Sequence, residues 1–217
     1  MQAEGKSIII VAGGSLDMSQ VKEKIEETKN PFVIGADRGA IFLLDAGIIP
    51  SLAVGDFDSI TVDEKERLSD VKSVETLNPI KDDTDFEHAL RRAIDMKPES
   101  ITIFGVTGSR LDQTMASINL LALCLEANIP ALIQDRTNRI RMINGDFSIQ
   151  KKDAFGKYFS ILPFDSLVED ISLKGFAYEV DHLTLKKEIS RGVSNEIKDD
   201  LAFVSCKGRL LIMETMD

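Results

Sequence analysis

The sequence predicts a two-part chain: an α/β domain with a mostly parallel sheet flanked by helices over residues 1–136, then an antiparallel β-sandwich over residues 137–217. Three observations predict it. Short, wholly apolar runs alternate with stretches of helical spacing through the first part, the pattern of strands buried on both faces and joined by crossover helices. Helical periodicity then stops near Arg136. Beyond that point short apolar stretches recur between Gly145, Gly156, Gly175, Gly192 and Gly208, as in an all-β unit.

Composition narrows the function. A formal net charge of −10 disfavours a general nucleic-acid or anionic-membrane surface. It leaves room for a small anionic ligand, because a metal or backbone dipoles reverse the potential inside a cleft. Ile8-Ile9-Ile10-Val11 is too short for a secretory h-region, and no apolar run is long enough to span a bilayer, so a cytoplasmic location is expected. Cys124 and Cys206 lack metal-ligand spacing and read as reduced core residues.

The elements follow in order. Residues 7–12 predict the first strand, ending in Gly13-Gly14-Ser15 before a helix over about residues 17–28. Strand, glycine turn and helix is an arrangement that offers backbone N–H groups to a phosphate, although paired glycines also make plain turns. Residues 32–36 form the second strand, with Asp37 at its carboxyl end, and a helix over 38–46 is stopped by Gly47 and Pro50. Residues 52–54 form the third strand and lead into Gly55-Asp56-Phe57-Asp58-Ser59. In extended geometry Asp56 and Asp58 share a face, and two such carboxylates repel unless a cation or a proton sits between them. Magnesium suits that place, while an Asp-rich turn explains the same residues without it.

A helix over 61–70, capped by Thr61 or Asp63, and a short strand over 73–77 come next. After Pro79, the run Lys81 to Glu87 carries Asp82, Asp83 and Asp85. It opens a helix to about residue 96, with Asp82 or Asp83 as the expected cap and Phe86, Ala89, Leu90, Ala93 and Ile94 facing the core. Residues 101–104 are a strand. Gly105 to Gln113 then reads as a loop and N-cap, or as an anion-binding loop in which Arg110 stands beside Asp112, before a helix to about residue 127 and a strand over 131–134. In the second part strands are expected at 147–150, 158–162, 171–173, 183–185, 201–206 and 210–213.

In parallel α/β sheets ligands bind beyond the carboxyl ends of the strands. Five strand ends here supply Gly13 and Gly14, Asp37, Asp56 and Asp58, the Asp82–Asp85 run, and Gly105 to Asp112. No P-loop, dinucleotide fingerprint or nucleophile elbow is present, and His88 and His182 form no triad pattern. An acid-rich site with one arginine suits magnesium-assisted transfer of a phosphoryl or larger phosphate-derived group, with Arg110 stabilising developing charge.

The ordered set Ala36-Asp37-Arg38-Gly39-Ala40, Gly55-Asp56-Phe57-Asp58-Ser59, Asp82-Asp83-Thr84-Asp85-Phe86, Gly108-Ser109-Arg110-Leu111-Asp112-Gln113 and Arg191-Gly192-Val193-Ser194-Asn195-Glu196 resembles the thiamine pyrophosphokinase family over essentially the whole chain. The resemblance implies a homodimer and a magnesium-dependent reaction in which the thiamine hydroxyl attacks the β-phosphorus of ATP, giving thiamine diphosphate and AMP. It implies that Asp56, Asp58, Asp82 and Asp85 hold magnesium or orient phosphates. Arg110 and Asp112 would contact the transferring group and the metal, supported by Gln113. Asp37 and the loop Thr107, Gly108 and Ser109 would help bind the nucleotide, and Ser194 and Asn195 would reach the thiamine across the dimer interface. Animal members of the family stack a tryptophan on the thiamine. This chain has no Trp, and the matching place falls near Ile212, where apolar contact would substitute. Two other readings use the same residues: a related diphosphotransferase for another heterocyclic alcohol, such as a hydroxymethyl pterin, and a non-catalytic nucleotide- or thiamine-binding module. The intact set of acids argues against the second of these.

Overall fold

Strands buried on both faces need cover above and below, and the first half of the chain is built on that requirement. The computed structural model describes residues 5–58, 60–78 and 82–217; Ser59, Pro79 and Lys81 of the motifs above lie outside them. The chain divides into two units, Met1–Arg136 and Thr137–Asp217.

The first unit runs β1 (Ser7–Val11), α1 (Met18–Glu27), β2 (Phe32–Ala36), α2 (Arg38–Asp45), β3 (Leu52–Gly55), α3 (Val62–Arg67), β4 (Val74–Thr76), α4 (Asp85–Asp95), β5 (Ser100–Phe104), α5 (Leu111–Glu126) and β6 (Ala131–Gln134). Its strands lie in the order β4-β3-β2-β1-β5-β6, and every neighbouring pair is parallel. Ile8, Ile9, Ile10 and Val11 are completely buried, as a central strand with helices on both faces requires. From β1 the chain steps outward to β2, β3 and β4, and then α4 carries it back to β5 on the other flank of β1. The switch point of the sheet therefore lies between the carboxyl ends of β1 and β5, where a crevice opens.

Local caps agree with the sequence in part. Asp17 caps α1 by accepting the Ser19 N–H at 3.0 Å, and Thr61 caps α3 in a capping box with Glu64. Neither Asp82 nor Asp83 caps α4. Thr84 does, its Oγ1 accepting the Glu87 N–H at 3.1 Å. The hydroxyl sits three residues before that N–H, the reach a capping side chain needs, while Asp83 Oδ2 lies 3.5 Å from His88 Nδ1.

The second unit is two antiparallel sheets. One has the order β7-β13-β9, from β7 (Asn138–Ile143), β13 (Leu210–Thr215) and β9 (Tyr158–Pro163). The other has the order β11-β10-β12-β8, from β11 (Val180–Lys186), β10 (Leu167–Lys174), β12 (Leu201–Lys207) and β8 (Phe147–Gln150). Their inner faces share one core, in which the rings of Phe159 and Phe176 meet at 4.8 Å.

Strand β7 was not expected, because Arg139 and Arg141 interrupt its apolar pattern. The structure supplies their counter-charge. Glu214 on β13, with a side chain 1% exposed, meets Arg141 at 2.7 Å and Arg139 at 3.9 Å and accepts the Phe155 N–H at 2.8 Å. Ile212, expected as an apolar contact for a ligand, is completely buried in this core instead, because its strand lies between β7 and β9 with that side chain facing the opposite sheet. Cys124 and Cys206 are free and buried, and burial pushes the Cys124 thiol up to about 12. Among the described residues no helix is long and apolar enough to cross a membrane.

Candidate active site

Loop closure between β1 and β5 builds the floor of the crevice. Gly14 N–H donates to Gly105 O at 2.7 Å and Ser15 N–H to Thr107 O at 2.8 Å. A Cβ on Gly14 would stand 2.6 Å from that Gly105 oxygen, so only glycine lets the two loops meet. Gly13 and Gly14 thus line the cleft, yet the Gly14 N–H faces the neighbouring loop rather than a ligand. The glycine pair serves close approach more than phosphate cradling.

The cleft has a volume of about 680 Å3. It gathers the Gly13–Ser15 turn, Asp37 and Arg38, Thr84 and Asp85, the loop Gly105 to Ser109, and Arg110 with Gln113. Three helix N-termini open into it. Asp37 precedes α2, Thr84 caps α4 and Arg110 precedes α5. The partial positive charge of each N-terminus favours an anion there, and three together offset the nearby acids. Thr114 and Ser117, which the motifs did not single out, also face the cleft. Their signal was in the sequence: they stand one helical turn beyond Arg110 and Gln113 and extend the same polar stripe.

Asp37 is the most constrained acid. Its backbone lies at φ 49° and ψ −124°, a region that residues with a side chain rarely adopt. Its Oδ1 is buried and has no hydrogen-bond partner. Burial pushes its carboxyl above the ordinary range; the Arg38 N–H opposes this, and the charges of Asp85, Asp56 and Asp58 add to it. The Asp37 carboxylate therefore feels three others, two from the turn after β3 and one from the start of α4.

Asp56 and Asp58 get there by a turn rather than by extended geometry. The strand ends at Gly55, Phe57 adopts φ 53°, and Asp56 Oδ1 accepts the Asp58 N–H at 3.2 Å. Phe57 is 4% exposed and packs with Ile41, Leu68 and Val71, which anchors the turn between the two acids. The Asp-rich turn is present, and the charges of both its acids bear on Asp37. Asp82 is exposed, and Asp56, Asp58, Asp82 and Asp112 lie outside the lining of the cleft. Asp112 is exposed as well and holds Arg110, with contacts of 2.5 and 3.2 Å; the guanidinium holds its carboxyl below the usual range.

Among the described residues, no three His, Cys, Asp or Glu side chains are arranged to hold a metal ion by themselves. Magnesium needs no such cage, since it takes one or two carboxylates and completes its shell with water and substrate phosphates. An unpartnered, buried carboxylate oxygen on an acid that feels the charge of three others fits that ion.

In the second unit, Ser194 and Asn195 lie beside β9. Ser194, at φ 61°, is exposed and its N–H donates to Ser160 Oγ at 3.0 Å. Asn195 is 6% exposed and its side chain is engaged. Oδ1 accepts the N–H groups of Tyr178 at 3.0 Å and Glu196 at 2.9 Å, and Nδ2 donates to Tyr178 O at 2.8 Å. His88 bridges Glu75 and Asp83 at 3.2 and 3.5 Å, a structural position.

A parallel α/β sheet with three helix N-termini opening into one cleft, and acids at the neighbouring strand ends, suits an enzyme that transfers phosphate groups. Residues 24–133 match the family model described as "Thiamin pyrophosphokinase, catalytic domain", and residues 146–211 match "Thiamin pyrophosphokinase, vitamin B1 binding domain". The chain is 36% identical to the thiamine pyrophosphokinase of Bacillus subtilis (strain 168), over 98% of this chain and 100% of that protein. A crystal structure of the thiamine pyrophosphokinase from Bacillus subtilis superposes with a TM-score of 0.89 at 33% identity, covering 98% of this chain and all of that one. One from Geobacillus thermodenitrificans gives 0.83 at 31% identity, covering 97% and 98%. The chain belongs to the thiamine pyrophosphokinase family, and its activity is diphosphoryl transfer to thiamine.

Proposed function

We propose that the protein transfers the β,γ-diphosphoryl group of ATP to the hydroxyl of thiamine, using magnesium, as a cytoplasmic homodimer. One observation carries the reading: in a single unit, three helix N-termini, Arg110, Asp37 and Asp85 meet at one cleft, and the charges of Asp56 and Asp58 bear on Asp37. Residues 1–136 form the nucleotide- and magnesium-binding part in this reading, and residues 137–217 the thiamine-binding and dimerisation part.

One or two of Asp37, Asp56, Asp58 and Asp85 would hold the metal, with water and substrate phosphates completing its shell, and it would offset phosphate charge when bound. The loop from Thr107 to Ser109 and the N-terminus of α5 receive phosphate oxygens. Arg110 exchanges Asp112 for the transferring group, and Gln113 lies on the same edge of the cleft, so charge that develops on the diphosphoryl group finds a fixed donor. Asp112 positions that arginine and stands within reach of the metal shell, and Asp82 orients phosphates from the rim. The thiamine oxygen bonds to the β-phosphorus as the bond from that phosphorus to the α-phosphate bridging oxygen breaks. AMP leaves, and the hydroxyl proton passes to a carboxylate or water. Ser194 contacts the thiamine, while Asn195 shapes the surface that receives it.

The test is a product assay with magnesium, ATP and thiamine that resolves AMP from ADP. AMP and thiamine diphosphate in equal amounts are expected, with a loss on the order of a hundredfold in Arg110→Ala. ADP with thiamine monophosphate would refute diphosphoryl transfer.

A further inference from the structure

A nucleotide carries its charge on the phosphates and ends in a flat, uncharged base. A cleft built from acids and helix N-termini serves only the charged part. The surface next to that cleft has the complementary character. A groove of about 450 Å3 lies between α1 and α2, lined by Leu16 and Met18 from the start of α1 and by Phe42 and Ala46 from the later part of α2. Gly14 lines both the groove and the cleft, so the two are continuous. Leu16 and Met18 also pack on the buried core that holds Val21 and Leu43, which fixes that wall. Lys22 and Asp45 add charges of opposite sign to the lining, and Asp45 is held by Arg67 at 2.7 Å. Arg38 stands at the neck between groove and cleft. It lines the cleft, its Cβ is 3.1 Å from where a Cβ on Gly13 would stand, and its guanidinium lies over the Phe42 ring at 5.8 Å from the centroid.

We propose that this groove is the nucleoside subsite: it receives the adenine of ATP, and Arg38 at its neck holds the α-phosphate. The inference deepens the function proposed above and rests on it. A purine gains from apolar walls and an aromatic ring, while a few polar groups at the edge meet its ring nitrogens and amine. A base without net charge fits a groove whose lining charges cancel, and the triphosphate does not. Continuity through Gly14 lets the base lie in the groove while the phosphates lie in the cleft. Diphosphoryl transfer gives the α-phosphate a particular need. The bond from its bridging oxygen to the β-phosphorus breaks, and the electron pair stays on that oxygen as AMP departs. A guanidinium at the neck stabilises this charge. The two arginines of the cleft thus divide the work: Arg110 acts on the group that moves, and Arg38 on the group that leaves.

The experiment measures binding to the full-length protein by calorimetry in magnesium, with AMP, adenosine and inorganic tripolyphosphate as separate probes. Phe42→Ala removes the ring and Ala46→Phe fills the groove. Each should weaken AMP about fivefold to a hundredfold, the range for losing a stacked base, and leave tripolyphosphate within about twofold. Should either variant fail to melt cooperatively, Met18→Ala trims the opposite wall and should weaken AMP by about threefold or more, again sparing tripolyphosphate. Arg38→Met should weaken AMP by about tenfold or more, leave adenosine within about twofold, and lower kcat. Cooperatively melting groove variants that keep the parent's AMP affinity, or that lose AMP and tripolyphosphate equally, overturn the subsite. An Arg38→Met protein that loses adenosine as much as AMP overturns the α-phosphate contact. An unsubstituted protein that binds AMP but makes none from ATP and thiamine overturns the proposed function and leaves the groove as a nucleotide site.

Discussion

Removing Asp37 should make the protein more stable and nearly inactive. Its backbone conformation costs on the order of 1–3 kcal/mol for a residue with a side chain. Its orphaned, buried Oδ1 adds a penalty on the order of 1–3 kcal/mol. Glycine removes both and returns about 0.5–1 kcal/mol of backbone entropy to the unfolded chain. The net expectation for Asp37→Gly is about 2–4 kcal/mol of added stability, or roughly 6–12 °C in Tm for a chain of this size. Asp37→Asn separates charge from strain, since it keeps the backbone and loses the carboxylate. The sign follows from linkage. Burial and the facing acids raise the carboxyl in the folded state, so the folded protein binds that proton more tightly than the unfolded chain. The destabilisation is complete above the folded value and vanishes below the ordinary value of 3.8. The advantage of Asp37→Asn should therefore be present at pH 7 and fade towards pH 4. Calorimetry in the presence of a chelator measures stability, and AMP release measures activity, which should fall on the order of a hundredfold in both variants. If both variants unfold below the parent at pH 7, or if Asp37→Gly keeps its activity, the reasoning about a strained, metal-directed carboxylate is wrong.

Other substitutions probe other parts of the fold. Gly14→Ala places a Cβ 2.6 Å from Gly105 O and 2.7 Å from Thr107 O, so it should cost on the order of 1–3 kcal/mol by urea denaturation and raise KM for ATP. Glu214→Gln strips the buried partner from Arg141 and Arg139 and should destabilise the protein by about 3–5 kcal/mol, whereas diphosphoryl transfer below the melting range should persist. On the outer face of the second sheet, Asp170 accepts from Lys207 at 2.8 Å and pairs with His182, which lowers Asp170 to about 2 and raises His182 above 6.5. Folding favours the protonated imidazole, so that support is complete below 6.5 and is lost as pH rises through the folded value. Proton NMR should find His182 titrating above 6.5, and Asp170→Asn should return it towards that value.

What was legible in the sequence follows from where each signal is written. Residues 7–12, 32–36 and 52–54 announced strands because burial on both faces leaves no polar position. Strand β7 was hidden because its two arginines look solvent-facing until Glu214, far along the chain, is brought against them. The extents of β10 and β11 were underestimated for a related reason. Their outer faces carry Glu169, Asp170 and Asp181, and bulges at Asp170 and His182, both at positive φ, break the two-residue alternation.

The sequence by itself determined the class of most elements, the strand ends that carry acids, and, through five ordered motifs, the family. Only the tertiary structure decided which of those acids meet. The charges of Asp56, Asp58 and Asp85 bear on Asp37 because parallel strands β2 and β3 end side by side and α4 begins beside them, whereas Asp112 turns to Arg110. The same holds for Asn195, whose motif suggested a ligand contact and whose amide holds Tyr178. Local sequence encodes hydrophobic period and turn chemistry, which act over a few residues. The partner of a carboxylate or an amide is set by strand order and register, which long-range packing alone supplies.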